Sequence, residues 1–178
     1  MNRRTVVKGL LLFTGGLVLA PSCVMETSKA SIRLKNLDIS GEDEKLLGEV
    51  VETILPTTDT PGGRTLGLHR FTLKMVDDLR GEKDQKAFTD GLDAFKKLAK
   101  KELGSSFMEA SPQKRQELIA AVNAGKAPQD VLAFYKLLKD HTITGYLNSE
   151  LVMTKLRVYE LVPGRYNPYF PVKTKQQS

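Results

Sequence analysis

Apolar residues recur at three- and four-residue spacing from Leu46 to Tyr159, and no run alternates as a half-buried strand would. That periodicity leaves little room for a sheet. Leu46, Leu47, Val50, Val51, Ile54 and Leu55 form one stripe, started by Ser40 with Asp43 three residues on, and ended by Pro56. Leu68, Phe71, Met75, Val76 and Leu79 form a second stripe, stopped by Gly81. Phe88, Leu92, Phe95 and Leu98 line a helix from about Lys83 to Leu103, whose other face is rich in lysine. Ser111-Pro112 reads as an N-cap followed by proline at the first helical position, with Leu118, Ile119 and Val122 inward. Pro128 opens a helix with Val131, Leu132, Phe134, Tyr135, Leu138 and Ile143 inward, and Gly145 and Asn148-Ser149 break it. Ser149 caps a last helix from Glu150 to about Tyr159. The expected architecture is one all-α domain of about six helices.

Two stretches escape this pattern. Pro56-Thr57-Thr58-Asp59-Thr60-Pro61-Gly62-Gly63 is loop chemistry throughout: two prolines fix φ, two glycines free it, and Asp59 can bond nearby backbone N–H groups. Val162 to Val172 holds three prolines and three aromatics. It cannot be helix and is too apolar for a free tail, so it is expected to pack back on the domain or dock on a partner.

The N-terminus carries an address. Asn2-Arg3-Arg4-Thr5-Val6-Val7-Lys8 fits the twin-arginine export pattern, with Arg3 and Arg4 as the signal pair. The apolar run Gly9–Ala20 is too short to cross about 30 Å of hydrocarbon, and its three glycines weaken a helix. A positive start, a short apolar run and small residues at the end describe a signal peptide, read by a receptor. Leu19-Ala20-Pro21-Ser22-Cys23 resembles a lipobox, with Ala20 where leucine is usual, and Ala20-Pro21-Ser22 also fits ordinary cleavage. Cys23 is therefore the candidate lipidation site. Residues 1–22 are read as the signal, 23–38 as a linker, 39–172 as the helical domain and 173–178 as a polar tail.

Composition excludes several classes. The net charge is +6, but Arg3, Arg4 and Lys8 lie in the leader; beyond it 24 basic residues face 21 acidic ones, a net of +3. With no basic stripe interleaved with aromatics, no nucleic acid is expected as a partner. One cysteine permits neither an internal disulfide nor a cysteine-based zinc cluster. G-x-G-x-x-G and Walker sequences are missing.

Four residues could carry chemistry. His69 follows a loop containing Asp59, and such a pair could act as a general base. The plainer reading has His69 touching solvent or a loop carbonyl. His141 with Glu150 would serve a self-sufficient enzyme, and the plainer reading of His141 is a satisfied helix histidine. Polar residues are dense from Asp140 to Glu150, including Tyr146, Asn148 and Ser149, as helix ends often are. Thr57 to Thr60 lacks the ligand number calcium needs. No catalytic, cofactor-binding or metal-binding set is assigned to this chain.

Ile54-Leu55-Pro56-Thr57-Thr58-Asp59-Thr60-Pro61-Gly62 resembles the ILPxTDTPGA signature of the gluconate 2-dehydrogenase subunit 3 family. Further matches follow in order. Gly67-Leu68-His69-Arg70-Phe71 looks like its G-V-x-x-F segment. Phe107 with Ser111-Pro112-Gln113-Lys114-Arg115 is similar to its F-x-x-L-S-P-x-Q-R helix start. Phe134 to Lys139, leading into Thr142 to Glu150, resembles F-F-x-x-x-K…T-x-x-G-Y-F-T-S-E, and Tyr159 to Tyr166 resembles Y-x-x-V-P-G-x-Y. The likeness spans about Leu46 to Val172. Two departures stand out: Gly63 replaces a common alanine, and the tail lacks the cysteine many members carry, which excludes a covalent bridge from this tail to a partner.

The resemblance implies a non-catalytic small subunit. It would accompany a flavoprotein of the glucose-methanol-choline type, which holds FAD and oxidises a sugar or sugar acid. A cytochrome c subunit often takes the electrons onward. The small subunit would bind its partner in the cytoplasm and cross with it through the twin-arginine translocase into the periplasm. Pro56, Asp59, Pro61, Gly62, Tyr146, Glu150, Pro163, Gly164 and Tyr166, all in matched motifs, are the partner-binding candidates. The alternatives are a free-standing periplasmic lipoprotein that binds a small ligand and the self-sufficient enzyme above.

Overall fold

The structure, a computed structural model, describes residues 29–157 together with Gly164 and Tyr169. The leader with Arg3 and Arg4, Cys23, Pro163, Tyr166 and the 173–178 tail lie outside the described residues. Five α-helices run as α1 Gly41–Ile54, α2 Leu68–Leu79, α3 Glu82–Leu103, α4 Pro112–Asn123 and α5 Gln129–Leu147, and a π-helical turn follows at Val152–Leu156. No strand occurs among the described residues. The described residues are all-α, with six helical elements in one domain.

Local chemistry places the helix ends. Ser40 Oγ accepts the Asp43 N–H at 3.0 Å, and Glu42, Asp43 and Glu44 favour the positive end of α1. Ser111 caps α4 ahead of Pro112, as the sequence predicts. Gly67 enters α2 with φ 67°, and Gly104 ends α3 with φ 72°, both in the left-handed region where a side chain is strained.

The core closes around α5, which packs most extensively on α3 and α2 and also touches α1 and α4. Phe88, Phe95, Phe107 and Phe134 are almost fully buried. Their rings meet in tilted pairs, at 5.1 Å for Phe88–Phe134 and 5.4 Å for Phe95–Phe107, a geometry that suits the ring quadrupoles. Two glycines set the helix crossings. A Cβ at Gly91 of α3 would lie 2.5 Å from Phe134 Cβ of α5, and one at Gly145 of α5 would lie 2.7 Å from Phe71 of α2.

Four expectations are corrected here. Gly145 does not break α5, which runs on to Leu147; the glycine is the point of closest approach to α2. Leu79 and Ile143, expected inward, are 70% and 44% exposed. Thr72, Leu73 and Asp77 take the inner positions on α2, and Thr142 and Gly145 take them on α5. The last helix ends at Leu156, where Arg157 turns extended. Finally, residues 30–38, within the stretch read as linker, form with Ile39 a docked loop closed by the Ala30 N–H on the Ile39 carbonyl at 3.0 Å, with Leu37 and Ile39 buried.

Candidate functional site

The docked N-terminal loop is held by two carboxylates. Asp77, near the end of α2 and 1% exposed, accepts the N–H groups of Lys35 at 2.8 Å, Asn36 at 2.7 Å and Leu37 at 2.9 Å. The Asn36 amide donates back to the Asp77 carbonyl. Burial by itself would raise the Asp77 pKa, but the three N–H groups outweigh it and hold the carboxyl below its ordinary range. Glu44 on α1 accepts both the N–H and the hydroxyl of Ser31. Desolvation opposes its charge, and the Ser31 bonds with His69 and Arg70 nearby prevail, so its pKa is lowered too.

Beside this loop lies an open cleft of about 1210 Å³, bordered by Glu44, Glu49, Arg64, His69 and Arg70. His69 is buried and hydrogen-bonds no loop carbonyl among the described residues, so it takes neither position its plainer reading expects, solvent or a loop carbonyl. Its Nε2 lies 3.8 Å from Glu44 Oε1, and its Nδ1 has no hydrogen-bond partner among the described residues. Burial pushes its pKa down, Arg70 and Arg64 push the same way, and Glu44 opposes them.

The loop between α1 and α2 is organised by a residue the sequence reading passed over. Glu52, on the last turn of α1, accepts the Thr57 N–H at 3.0 Å, the Thr57 hydroxyl at 2.7 Å and the Arg64 N–H at 3.0 Å. Thr57 Oγ1 in turn accepts the Gly62 N–H at 3.1 Å, and Gly63 N–H bonds the Leu55 carbonyl at 2.8 Å. Gly62 and Gly63 are buried, and a Cβ on Gly62 would strike the Glu52 carboxylate and the Thr57 nitrogen. The loop is therefore rigid, with Pro56 and Asp59 exposed at its outer edge. Asp59, expected to bond backbone N–H groups, makes no hydrogen bond among the described residues; Glu52 fills that role.

Gly145 meets Leu68 and Phe71, so the C-terminal end of α5 lies against the N-terminal turn of α2. The Pro56–Gly62 loop, which feeds that turn, and Tyr146 thus sit at one end of the bundle. Tyr146 is half-buried on the core, and its carbonyl accepts the Ser149 hydroxyl at 2.7 Å. Glu150 and Gly164 are exposed. Neither the Asp59–His69 pair nor the His141–Glu150 pair forms among the described residues: His69 faces Glu44, and His141 Nε2 is buried without a bond. The described residues contain no group of three His, Cys, Asp or Glu side chains suited to a metal ion. None of their helices is long and apolar enough to cross a membrane.

Arg115 gives the site its second support. Its guanidinium bonds Glu49 at 2.5 Å, the Ala110 carbonyl at 3.0 Å and the Met108 carbonyl, and lies over the Phe107 ring at 5.6 Å. One side chain thereby fixes the α3–α4 connection against α1.

No curated protein and no solved structure matches the chain. Residues 41–164, which hold the Glu52-braced loop, the α2–α5 crossing and Arg115, match the family described as gluconate 2-dehydrogenase subunit 3. The chain belongs to the gluconate 2-dehydrogenase subunit 3 family.

Proposed function

We propose that this protein is the non-catalytic small subunit of an FAD-dependent sugar or gluconate dehydrogenase. It binds and stabilises the flavoprotein of the glucose-methanol-choline type and carries it out of the cytoplasm by the twin-arginine route. The family match over residues 41–164 carries this reading. The twin-arginine sequence Arg3-Arg4 supports the export step, and the FAD belongs to the partner. A cytochrome c subunit completes the complex where electrons leave for a respiratory chain. The periplasm is the destination, with Cys23 as the lipid tether.

The braced Pro56–Gly62 loop supports a binding role on physical grounds. A loop ordered before binding loses little conformational entropy when a partner covers it. Its exposed Pro56 and the half-buried Tyr146 suit that use.

Co-expression with the flavoprotein encoded beside this chain tests the proposal. Periplasmic dehydrogenase activity should need this chain and should vanish when Arg3 and Arg4 are both replaced by lysine. If the flavoprotein matures and reaches the periplasm equally well without this chain, the reading fails. Mass spectrometry of the mature N-terminus decides the tether: an unmodified terminus, or a cut elsewhere, removes it.

A further inference from the structure

The docked N-terminal loop alternates. Ala30, Ile32, Leu34 and Leu37 turn toward the domain, while Lys29, Arg33 and Lys35 are exposed. Because the backbone N–H groups of residues 35–37 are fixed on Asp77, this outward row of cations has a set position rather than a wandering one. Between the loop and α2 lies a slot of about 540 Å³ whose floor is Ile32, Phe71 and Met75. Arg33, Lys35, Arg70 and Lys74 rim it, and no carboxylate lines it. Arg70 is committed to Glu44 at 3.2 Å and Lys74 to Asp78 at 3.3 Å. Arg33 and Lys35 have no carboxylate partner among the described residues.

We propose that this slot is the docking surface for an acidic segment of the partner flavoprotein, with one apolar side chain seated on Phe71 and Met75. This rests on the small-subunit reading above and adds the face that is used. An apolar floor inside a positive rim calls for an apolar anchor flanked by carboxylates. The depression is open, so an extended segment can lie across it with one side chain on Phe71 and Met75 and its carboxylates against Arg33 and Lys35. An aromatic beside a pliable methionine is a suitable floor for an anchor residue.

The experiment measures binding of the full-length flavoprotein to the mature chain at physiological salt. Four proteins are compared: the unaltered chain, R33E/K35E, M75E and K97E/K100E. Arg33 and Lys35 are exposed, and the Lys35 N–H bond to Asp77 is a backbone bond, so R33E/K35E should fold normally and show an unchanged circular-dichroism melt. Its affinity should fall roughly tenfold or more, M75E should weaken binding as well, and added salt should weaken the unaltered complex. K97E/K100E, on the exposed face of α3, should bind as the unaltered chain does. If R33E/K35E binds with unchanged affinity, the slot is not the docking surface, while the small-subunit reading survives. If the unaltered chain fails to bind, that reading falls and takes this one with it. A parallel sedimentation with phosphatidylglycerol-containing vesicles covers the remaining occupant. Loss of vesicle binding by R33E/K35E with intact flavoprotein binding would make this a membrane-facing patch and overturn the proposal.

Discussion

Asp77 Oδ1 accepts the N–H of Leu37 at 2.9 Å across forty residues of chain. The bond joins the end of α2 to the segment just before α1, and two neighbouring N–H groups share the same carboxylate. Hydrogen bonds to a charged acceptor are worth about 1.5–3 kcal/mol each. Asp77→Ala should therefore lower stability by about 3 kcal/mol in urea unfolding, and amide exchange at Lys35, Asn36 and Leu37 should speed up selectively. The pH dependence has a defined sign. The folded carboxyl titrates below its unfolded value of about 3.9, so its contribution is present above that value and disappears as pH falls through the folded pKa. Asp77→Asn should lose part of the acid-limb slope, and Asp43, Glu44 and Glu52, depressed in the same direction, should keep the rest.

The two crossing glycines should respond unequally to alanine. Each substitution gains about 1 kcal/mol of helix propensity and meets a contact that overpacks. At Gly91 the new methyl faces Phe134 Cβ at 2.5 Å and the Asp130 carbonyl at 2.9 Å, neither of which can move without shifting α5. At Gly145 it faces the ring of Phe71, which is only half-buried and can turn. Gly91→Ala should cost about 2–3 kcal/mol net and Gly145→Ala about 1 kcal/mol or less. Equal melting temperatures for the two variants would contradict this.

These positions also show what the sequence could and could not reveal. Helices were legible because their apolar period and their caps, Ser40 and Ser111, are written in side chains. Gly145 reads as a break because a glycine lowers helix propensity, and only the neighbouring helix shows what its missing Cβ makes room for. Leu79 looks like core and is not, because Asp77 takes the buried end of α2 with backbone donors from residues 35–37. Backbone N–H groups have no letter in a sequence, so a segment docked through them reads as a polar linker. The motifs carried the family, and non-local contacts decided the register.

Glu52 and Asp59 separate the same way. An acid inside the loop attracts attention, yet the acid on the preceding helix turn makes the bonds. Glu52→Ala removes three acceptor contacts at a partly exposed site and should cost about 1–2 kcal/mol. It should also open residues 56–63 to limited proteolysis. Asp59→Ala should change stability by no more than about 0.5 kcal/mol. A protease-resistant loop in Glu52→Ala would show that the prolines alone order it.

His69 should make the protein less stable in mild acid. Its folded pKa lies below the unfolded value of about 6.5, chiefly through burial, with Arg70 and Arg64 adding to it and Glu44 opposing. The unfolded chain then binds the proton first, so stability declines as pH falls from about 6.5 toward the folded pKa. His141 shifts the same way, through burial and Arg80 against Asp140. His69→Gln should remove part of the slope between pH 6.5 and 5, and the double variant with His141→Gln should remove most of it. Chemical unfolding at fixed pH steps measures this.

Glu49 is shared by two arginines, and their unequal burial predicts unequal worth. The Arg64 side chain is 58% exposed, whereas that of Arg115 is 17% exposed and also bonds two backbone carbonyls. Exposed ion pairs contribute little, at most about 1 kcal/mol. Arg64→Ala should fall within that limit. Arg115→Ala should cost about 2–3 kcal/mol, because the Met108 and Ala110 carbonyls lose a fixed donor along with the ion pair. Arg115→Lys should recover little of this, since an ammonium cannot reach three acceptors from the plane the guanidinium occupies above Phe107. In double-mutant cycles with Glu49→Ala, Arg115 should couple by more than about 1 kcal/mol and Arg64 by less than about 0.5 kcal/mol. The opposite order would mean that the brace between α1 and the α3–α4 connection lies in Phe107 packing rather than in the ion pair.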